Sequence, residues 1–285
     1  MKKILYMLMG IAMLASCSAK KGDSKVITVT IEPLRFFVEQ IAGDEAEVVT
    51  LVPNGSSPET YEPTAQQMVA MSNSMMFVKV GDLGFERTWM KKIEGLSSNL
   101  AIVNTSEGIS TIESSERGVT DQHTWMSCAN ALVIAKNIYN SLKETDADNA
   151  SYYEQRYKAL VDEINKLNAD ISKKLASVKG TSFIIYHPAL TYFAKEYGLQ
   201  QLAIEEDGRE PSAASLAKVI DKAEKAGVKL MLVQQEFDKR NTEIVAKALD
   251  IRMVSINPLA YNWNDEMKLI CNILAEQDNA QNDEE

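Results

Sequence analysis

Histidine is almost absent from this chain: only His123 and His187 occur in 285 residues. So few leave no scattered surface background, and each sits in a distinctive setting. The first lies in Asp121-Gln122-His123-Thr124-Trp125, the second in Tyr186-His187-Pro188-Ala189-Leu190-Thr191-Tyr192-Phe193. Cysteine is equally sparse, with three residues. Cys17 belongs to the N-terminal segment, and Cys128 and Cys271 lie in opposite halves. That is too few for a disulfide framework, and two isolated thiols are the expectation. A basic excess is also missing: 30 Lys and Arg stand against 40 Asp and Glu, a formal net charge of −10. This argues against nucleic acid or anionic lipid surfaces as main partners. No apolar run is long enough to span a bilayer. The Gly-x-Gly-x-x-Gly, P-loop, Gly-x-Ser-x-Gly, His-Glu-x-x-His and His-x-Asp patterns are all absent.

What is present begins at the N-terminus. Met1-Lys2-Lys3 is a basic start, and Ile4 to Leu14 is a short apolar run. Leu14-Ala15-Ser16-Cys17 then has the form of a bacterial lipobox. Residues 1–16 read as a lipoprotein signal peptide and Cys17 as the lipidated residue. Residues 17–25 read as a polar tether between lipid and folded body. The mature protein is therefore expected in the cell envelope, outside the cytoplasmic membrane, anchored to a bilayer through Cys17.

The rest alternates between β-type and helix-type patterns. Val26–Ile31, Val48–Val52, Met76–Val80 and Leu100–Val103 read as strands with helical segments between them. Residues 104–122 read as a surface loop, and Ser127 as the cap of a helix from Cys128 to about Leu142. After a break near 144–148, Tyr152, Tyr153, Tyr157, Leu160, Ile164, Leu167, Ile171 and Leu175 recur at helical spacing. A helix over 147–178, roughly 30 residues, spans about 45 Å. It reads as a spine joining two domains. Ser182–Tyr186, Gln201–Ile204, Leu230–Val233 and Arg252–Ile256 are the strands of the second half. The expectation is an α/β protein of two lobes. Each lobe has a four-stranded, mostly parallel sheet flanked by helices, and one long rigid helix joins them. The boundaries are 26–143 for the first lobe, 147–178 for the spine and 180–285 for the second lobe.

In such sheets ligands bind beyond the carboxyl ends of the strands. His187, Gln234 and Asn257 each follow a β-run there. Imidazole is the commonest protein ligand for divalent transition metals. Two histidines at distant positions therefore point to a metal site assembled from separate segments.

A further block, Pro53-Asn54-Gly55-Ser56-Ser57-Pro58-Glu59-Thr60-Tyr61-Glu62-Pro63-Thr64, follows the second strand. Together with 121–131, 186–199 and 233–259, it resembles the TroA-like family of metal-uptake solute-binding proteins, which deliver zinc or manganese to ABC permeases. The resemblance implies four metal ligands. Two match the family pattern, His123 and His187. Two depart from it: Glu59 stands where the family has histidine, and Asn257 where it has aspartate. The two changes leave the formal charge of the ligand set unaltered, so a divalent cation loses less than either change alone implies. Glu236 and Asp238 are alternative oxygen donors. Tyr61 and Trp125 read as packing residues. Cys128, at a helix start, occupies a position that can lower a thiol pKa.

The resemblance implies no enzymatic step. It implies capture of one divalent transition metal between the lobes, with zinc foremost and manganese or iron compatible, and delivery to an ABC permease of the inner membrane. The receptor is expected to be a monomer with no nucleic-acid partner. Loop 104–122 carries no histidine, unlike the histidine-rich insertion of many zinc-uptake members. Two alternatives stand beside this reading: an adhesion or organising lipoprotein on a degenerate receptor scaffold, and a metalloenzyme with open coordination positions.

Overall fold

A computed structural model of the chain describes residues 25–95, 100–113, 120–205, 210–234, 237 and 240–277. The segments read as signal peptide and tether up to residue 24, with Cys17, and Glu236, Asp238 and the residues from 278 lie outside the described residues.

Strands β1 (Val26–Val29), β2 (Glu47–Thr50), β3 (Met76–Lys79) and β4 (Ala101–Asn104) form one sheet in the order β2-β1-β3-β4. Helices α1 (Glu32–Ala42), α2 (Ala65–Ser72) and α3 (Gly84–Glu94) connect them. Then come α4 (Cys128–Thr145) and α5 (Ala150–Leu175). The second sheet has the order β6-β5-β7-β8, from β5 (Ser182–Ile185), β6 (Gln200–Ala203), β7 (Leu230–Gln234) and β8 (Arg252–Ile256). Its helices are α6 (Thr191–Tyr197), α7 (Ala213–Lys225), α8 (Arg240–Leu249) and α9 (Trp263–Ala275). Every pairing between these strands is parallel, so the two-lobe architecture read from the alternation is the one observed.

Alternation along each strand divides the core into layers. In β5 and β7, Ile184, Met231 and Val233 face α7 and α8. Their neighbours Phe183, Ile185, Leu230 and Leu232 face inward and join a core shared with the first lobe. On the first sheet Phe77 turns outward to Met68, Met71 and Phe85, while Met76 and Val78 turn inward.

The inner core continues across both lobes because α5 lies between them. The helix buries Tyr153, Leu160, Ile164, Leu167, Ile171 and Leu175 along one stripe, packing against α1, α4 and α9. Single 3-10 turns at 147–149 and 176–178 extend it to the limits read from the periodicity. Losing one such buried aliphatic side chain to alanine costs roughly 2 to 5 kcal/mol.

Local capping agrees with the sequence. Ser127 accepts from the Asn130 N–H and Ser212 from the Ser215 N–H, satisfying donors that a helix start leaves free. Helix α6 begins at Thr191, three residues after Pro188. Residues 187–190 make a tight turn instead, in which the Ala189 N–H donates to the His187 carbonyl at 2.7 Å. That turn directs His187 toward the cleft. No described helix is long and apolar enough to cross a membrane.

Candidate metal centre

Parallel strands send all their carboxyl ends the same way, and in each lobe that end meets the cleft. Residues 51–64 leave β2 carrying Glu59, and the chain beyond β4 carries Asp121 and His123. Across the cleft His187 follows β5, Glu205 follows β6, and Gln234 ends β7.

The structure brings the two histidines together. His123 Nε2 and His187 Nε2 are 3.0 Å apart, with their rings at 72°. Each ring is held from behind by a carboxylate. His123 Nδ1 lies 2.9 Å from Asp121 Oδ1, which also accepts the His123 backbone N–H at 2.8 Å. His187 Nδ1 lies 3.0 Å from Glu205 Oε2. Gln234 fixes the His187 backbone reciprocally, its amide nitrogen donating to the His187 carbonyl at 2.6 Å and its oxygen accepting the N–H at 3.4 Å. Asp121, His123, Glu205 and Gln234 are all buried.

The electrostatics follow from this arrangement. A carboxylate only accepts, so each Nδ1 carries its hydrogen and each Nε2 aims at the gap between the rings. Two lone pairs 3.0 Å apart repel, so this approach of the rings calls for a positive charge between them, a proton or a cation. Burial disfavours a charged His123. Asp121 nonetheless outweighs it, with Glu59 and Glu205 adding to the effect, and the His123 pKa is raised. Burial likewise opposes the Asp121 charge, but His123 beside it holds that carboxyl below the usual range.

A divalent cation fits this gap with little movement. Two nitrogens bound tetrahedrally at about 2.0–2.1 Å stand about 3.3 Å apart. The rings must therefore separate by only a few tenths of an ångström. Both carry the carboxylate partner that metal-ligating histidines characteristically have. Among the described residues, no three His, Cys, Asp or Glu side chains already stand as a ready metal cage. The reason lies at Glu59. It lines the same cavity as the two rings, but its Oε2 accepts the Gly84 N–H at 3.1 Å, at the start of α3. To reach a cation it must leave that amide.

Asn257 is placed differently from the expectation. Its Oδ1 accepts the Leu259 N–H at 3.1 Å, the Asx-type turn for which asparagine is suited. It lines a separate cleft with Glu32, Asn54 and Ser56, while its neighbours Pro258 and Leu259 line the imidazole cavity. Glu59 and Asn257 thus line two cavities that share Leu259. The additional negative charge near the rings comes from Asp121 and Glu205. Glu205 was not singled out in the sequence, although it stands at a strand's carboxyl end like His187, and that position was the available signal.

Tyr61 and Trp125 pack as expected. Tyr61 contacts Phe85 and donates to Gln67. Trp125 is buried and bridges the lobes: its Nε1–H donates to the Pro258 carbonyl at 2.8 Å, while the Trp263 Nε1–H donates to the Trp125 carbonyl at 2.7 Å. Tyr192 adds a third tie, donating to the Asp121 carbonyl at 2.8 Å. Cys128 departs from the helix-start argument. Burial dominates there and pushes its thiol up to about 12. It and Cys271 are free, buried thiols.

Comparison with known proteins gives a consistent result. The family described as zinc-uptake complex component A, periplasmic (ZnuA), matches residues 27–276. The high-affinity zinc uptake system protein ZnuA of Bacillus subtilis is 30% identical over 259 residues, covering 84% of this chain and 80% of its own. The zinc-binding lipoprotein AdcA of Streptococcus pneumoniae is 27% identical over 94% of this chain. This chain spans only 57% of AdcA's length. A crystal structure of ZnuA superposes with TM-score 0.85 at 34% identity, covering 89% of this chain and 99% of that one. A manganese-bound periplasmic metal-binding protein from Candidatus Liberibacter asiaticus shares the fold, with TM-score 0.81 at 21% identity over 89% of this chain and 99% of its own. Taken with the paired imidazoles in the interlobe cleft, these matches establish that the chain belongs to the ZnuA family of solute-binding proteins of metal-uptake ABC systems, which are not enzymes.

Proposed function

We propose that this protein captures one divalent transition metal between its lobes, zinc foremost, and hands it to an ABC permease. The observation that carries the reading is the pair of Nε2 atoms 3.0 Å apart, each ring backed by a buried carboxylate. The names of the ZnuA and AdcA relatives support zinc. Manganese and iron(II) are compatible with imidazole and carboxylate donors, and selection among the three rests on geometry.

In this proposal His123 and His187 bind first and Glu59 supplies the oxygen, turning from the Gly84 amide into the cavity. The remaining position falls to its second oxygen or to one water. Asn257 shapes the adjoining loop and does not ligate. The cation replaces the proton shared between the rings, so uptake releases a proton. The ties at Trp125, Trp263 and Tyr192 make this a local adjustment, with small lobe movement. Lipidation at Cys17 would keep the receptor at the membrane surface, as a monomer, within reach of its permease.

Calorimetry on the purified protein tests the reading. One zinc ion per chain is expected, with a buffer-dependent heat from the released proton. Because the His123 pKa is raised, the proton competes up to higher pH than at an ordinary histidine. Affinity should therefore fall as pH drops through that pKa. His123→Ala with His187→Ala should abolish binding, and unchanged binding in that variant would remove the proposed site.

A further inference from the structure

The cavity at the rings is small, about 30 Å³, room for one or two water-sized occupants. Its walls are largely apolar: Pro58, Trp125, Ala189, Phe237, Pro258 and Leu259 surround the donors. Phe237 is unlike the others in touching a donor ring face to face. Its ring stacks on His187 at 5.1 Å with 20° between planes, and it also lies 5.1 Å from the Tyr186 ring. Phe237 lies beyond the end of β7 and is half-buried, packed on the edge of the second lobe's core at the cavity's margin.

We propose that Phe237 is a specificity-determining residue for the cargo. This rests on the metal-capture reading above. Laid over His187, the ring fills the space that additional coordinated waters would need. Zinc is satisfied by four ligands and has no geometric preference of electronic origin. Manganese favours an octahedral shell rich in oxygen donors, which here must include water. The narrow, largely apolar cavity leaves an ion little room for several waters, so the aromatic wall discriminates by coordination number while the donors themselves remain common to both ions. The same stack fixes the His187 plane, which Glu205 constrains only at one atom.

The test compares wild type with Phe237→Ala and Phe237→Leu. Zinc and manganese affinities are measured by competition with a chelator, and the waters on bound manganese by water-proton relaxation. Phe237→Ala should lower the zinc-to-manganese affinity ratio by about 10-fold, the lower end of what losing a hydrogen-bonded group behind a ligand costs in affinity. It should also raise the number of coordinated waters. Phe237→Leu keeps bulk without the planar stack and should shift the ratio less, in the same direction. It also carries the test if the alanine variant does not fold. An unchanged ratio and water count in folded variants that bind zinc would overturn this inference alone. Wild-type protein that binds neither ion would overturn the metal-capture reading and this inference with it.

Discussion

Gly84→Ala sets two physical effects against each other. Gly84 opens α3, and helix propensity alone favours alanine over glycine by up to about 1 kcal/mol. The surroundings say the opposite. A Cβ at this position would meet the Glu59 carbonyl oxygen at 2.2 Å, its carbonyl carbon at 2.9 Å and its Oε2 at 2.8 Å. The carboxylate can swing away, but the backbone cannot. The Pro58-Glu59 segment must then move by about 1 Å, an overpacking cost of roughly 1–3 kcal/mol. Two hydrogen bonds suffer with it, Gly84 N–H to Glu59 Oε2 and Phe85 N–H to the Pro58 carbonyl, each worth about 1 kcal/mol. The net expectation is a loss of roughly 1–4 kcal/mol. At 2–4 °C per kcal/mol for a chain of about this size, that is a fall in Tm of roughly 2–16 °C. Gly95, just past the other end of the same helix, is the internal control. Its φ is −80°, and the nearest atoms to an added Cβ are carbonyl oxygens at 3.5 Å. Gly95→Ala should be neutral or stabilising by up to about 1 kcal/mol. Denaturant unfolding of both variants checks the pair. A Gly84→Ala protein as stable as Gly95→Ala would refute the claim that the α3 start holds the Glu59 segment by close contact.

Two other sites give independent expectations. Asp146 is buried between α4 and α5, where its Oδ2 accepts from Lys25 Nζ at 2.6 Å, Tyr153 Oη at 2.5 Å and Asn149 Nδ2 at 3.0 Å. Burial alone would raise its pKa, but the Lys25, Tyr153 and Asn149 contacts outweigh that and lower it. A depressed folded-state pKa contributes stability above the ordinary carboxylate value, and that stability is lost as pH falls through the folded value. Asp146→Asn should therefore cost roughly 1–3 kcal/mol at pH 7 and progressively less in acid, read from urea melts at several pH values. Equal losses at neutral and strongly acidic pH would contradict the assignment. Cys128, with its thiol raised by burial to about 12, has a negligible thiolate fraction at pH 8. A thiol reagent should leave it unmodified in native protein and label it on unfolding, and fast native labelling would show that the α4 start outweighs burial.

Several elements were legible because their signals are local. The eight β-runs, the cap at Ser127 and the apolar stripe of α5 depend on residues only a few positions apart, and the observed elements lie within a few residues of those readings. The start of α6 at Thr191 is not legible in sequence, because Pro188 is compatible with a first helical turn and only the turn at 187–190 decides otherwise. In the centre, scarcity made His123 and His187 conspicuous, and Glu59 followed from its place in a resembling block. Glu205 is an ordinary acid in an acidic sequence and acquires meaning only from the ring behind which it stands. Asn257 shows the reverse: its place in the pattern suggested a ligand, while its amide oxygen closes a local turn.

The order and type of elements, the joining helix and the segments that carry the candidate donors were determined by the sequence alone, because periodicity and capping act over one or two turns of chain. Which donors meet was decided by the tertiary structure. That outcome depends on loop paths from both lobes and on rival partners such as the Gly84 amide and the Leu259 N–H, which lie far from Glu59 in sequence in the first case and beside Asn257 in the second. Convergence to within a few ångströms is a property of the packed lobes, and no short stretch of residues contains it.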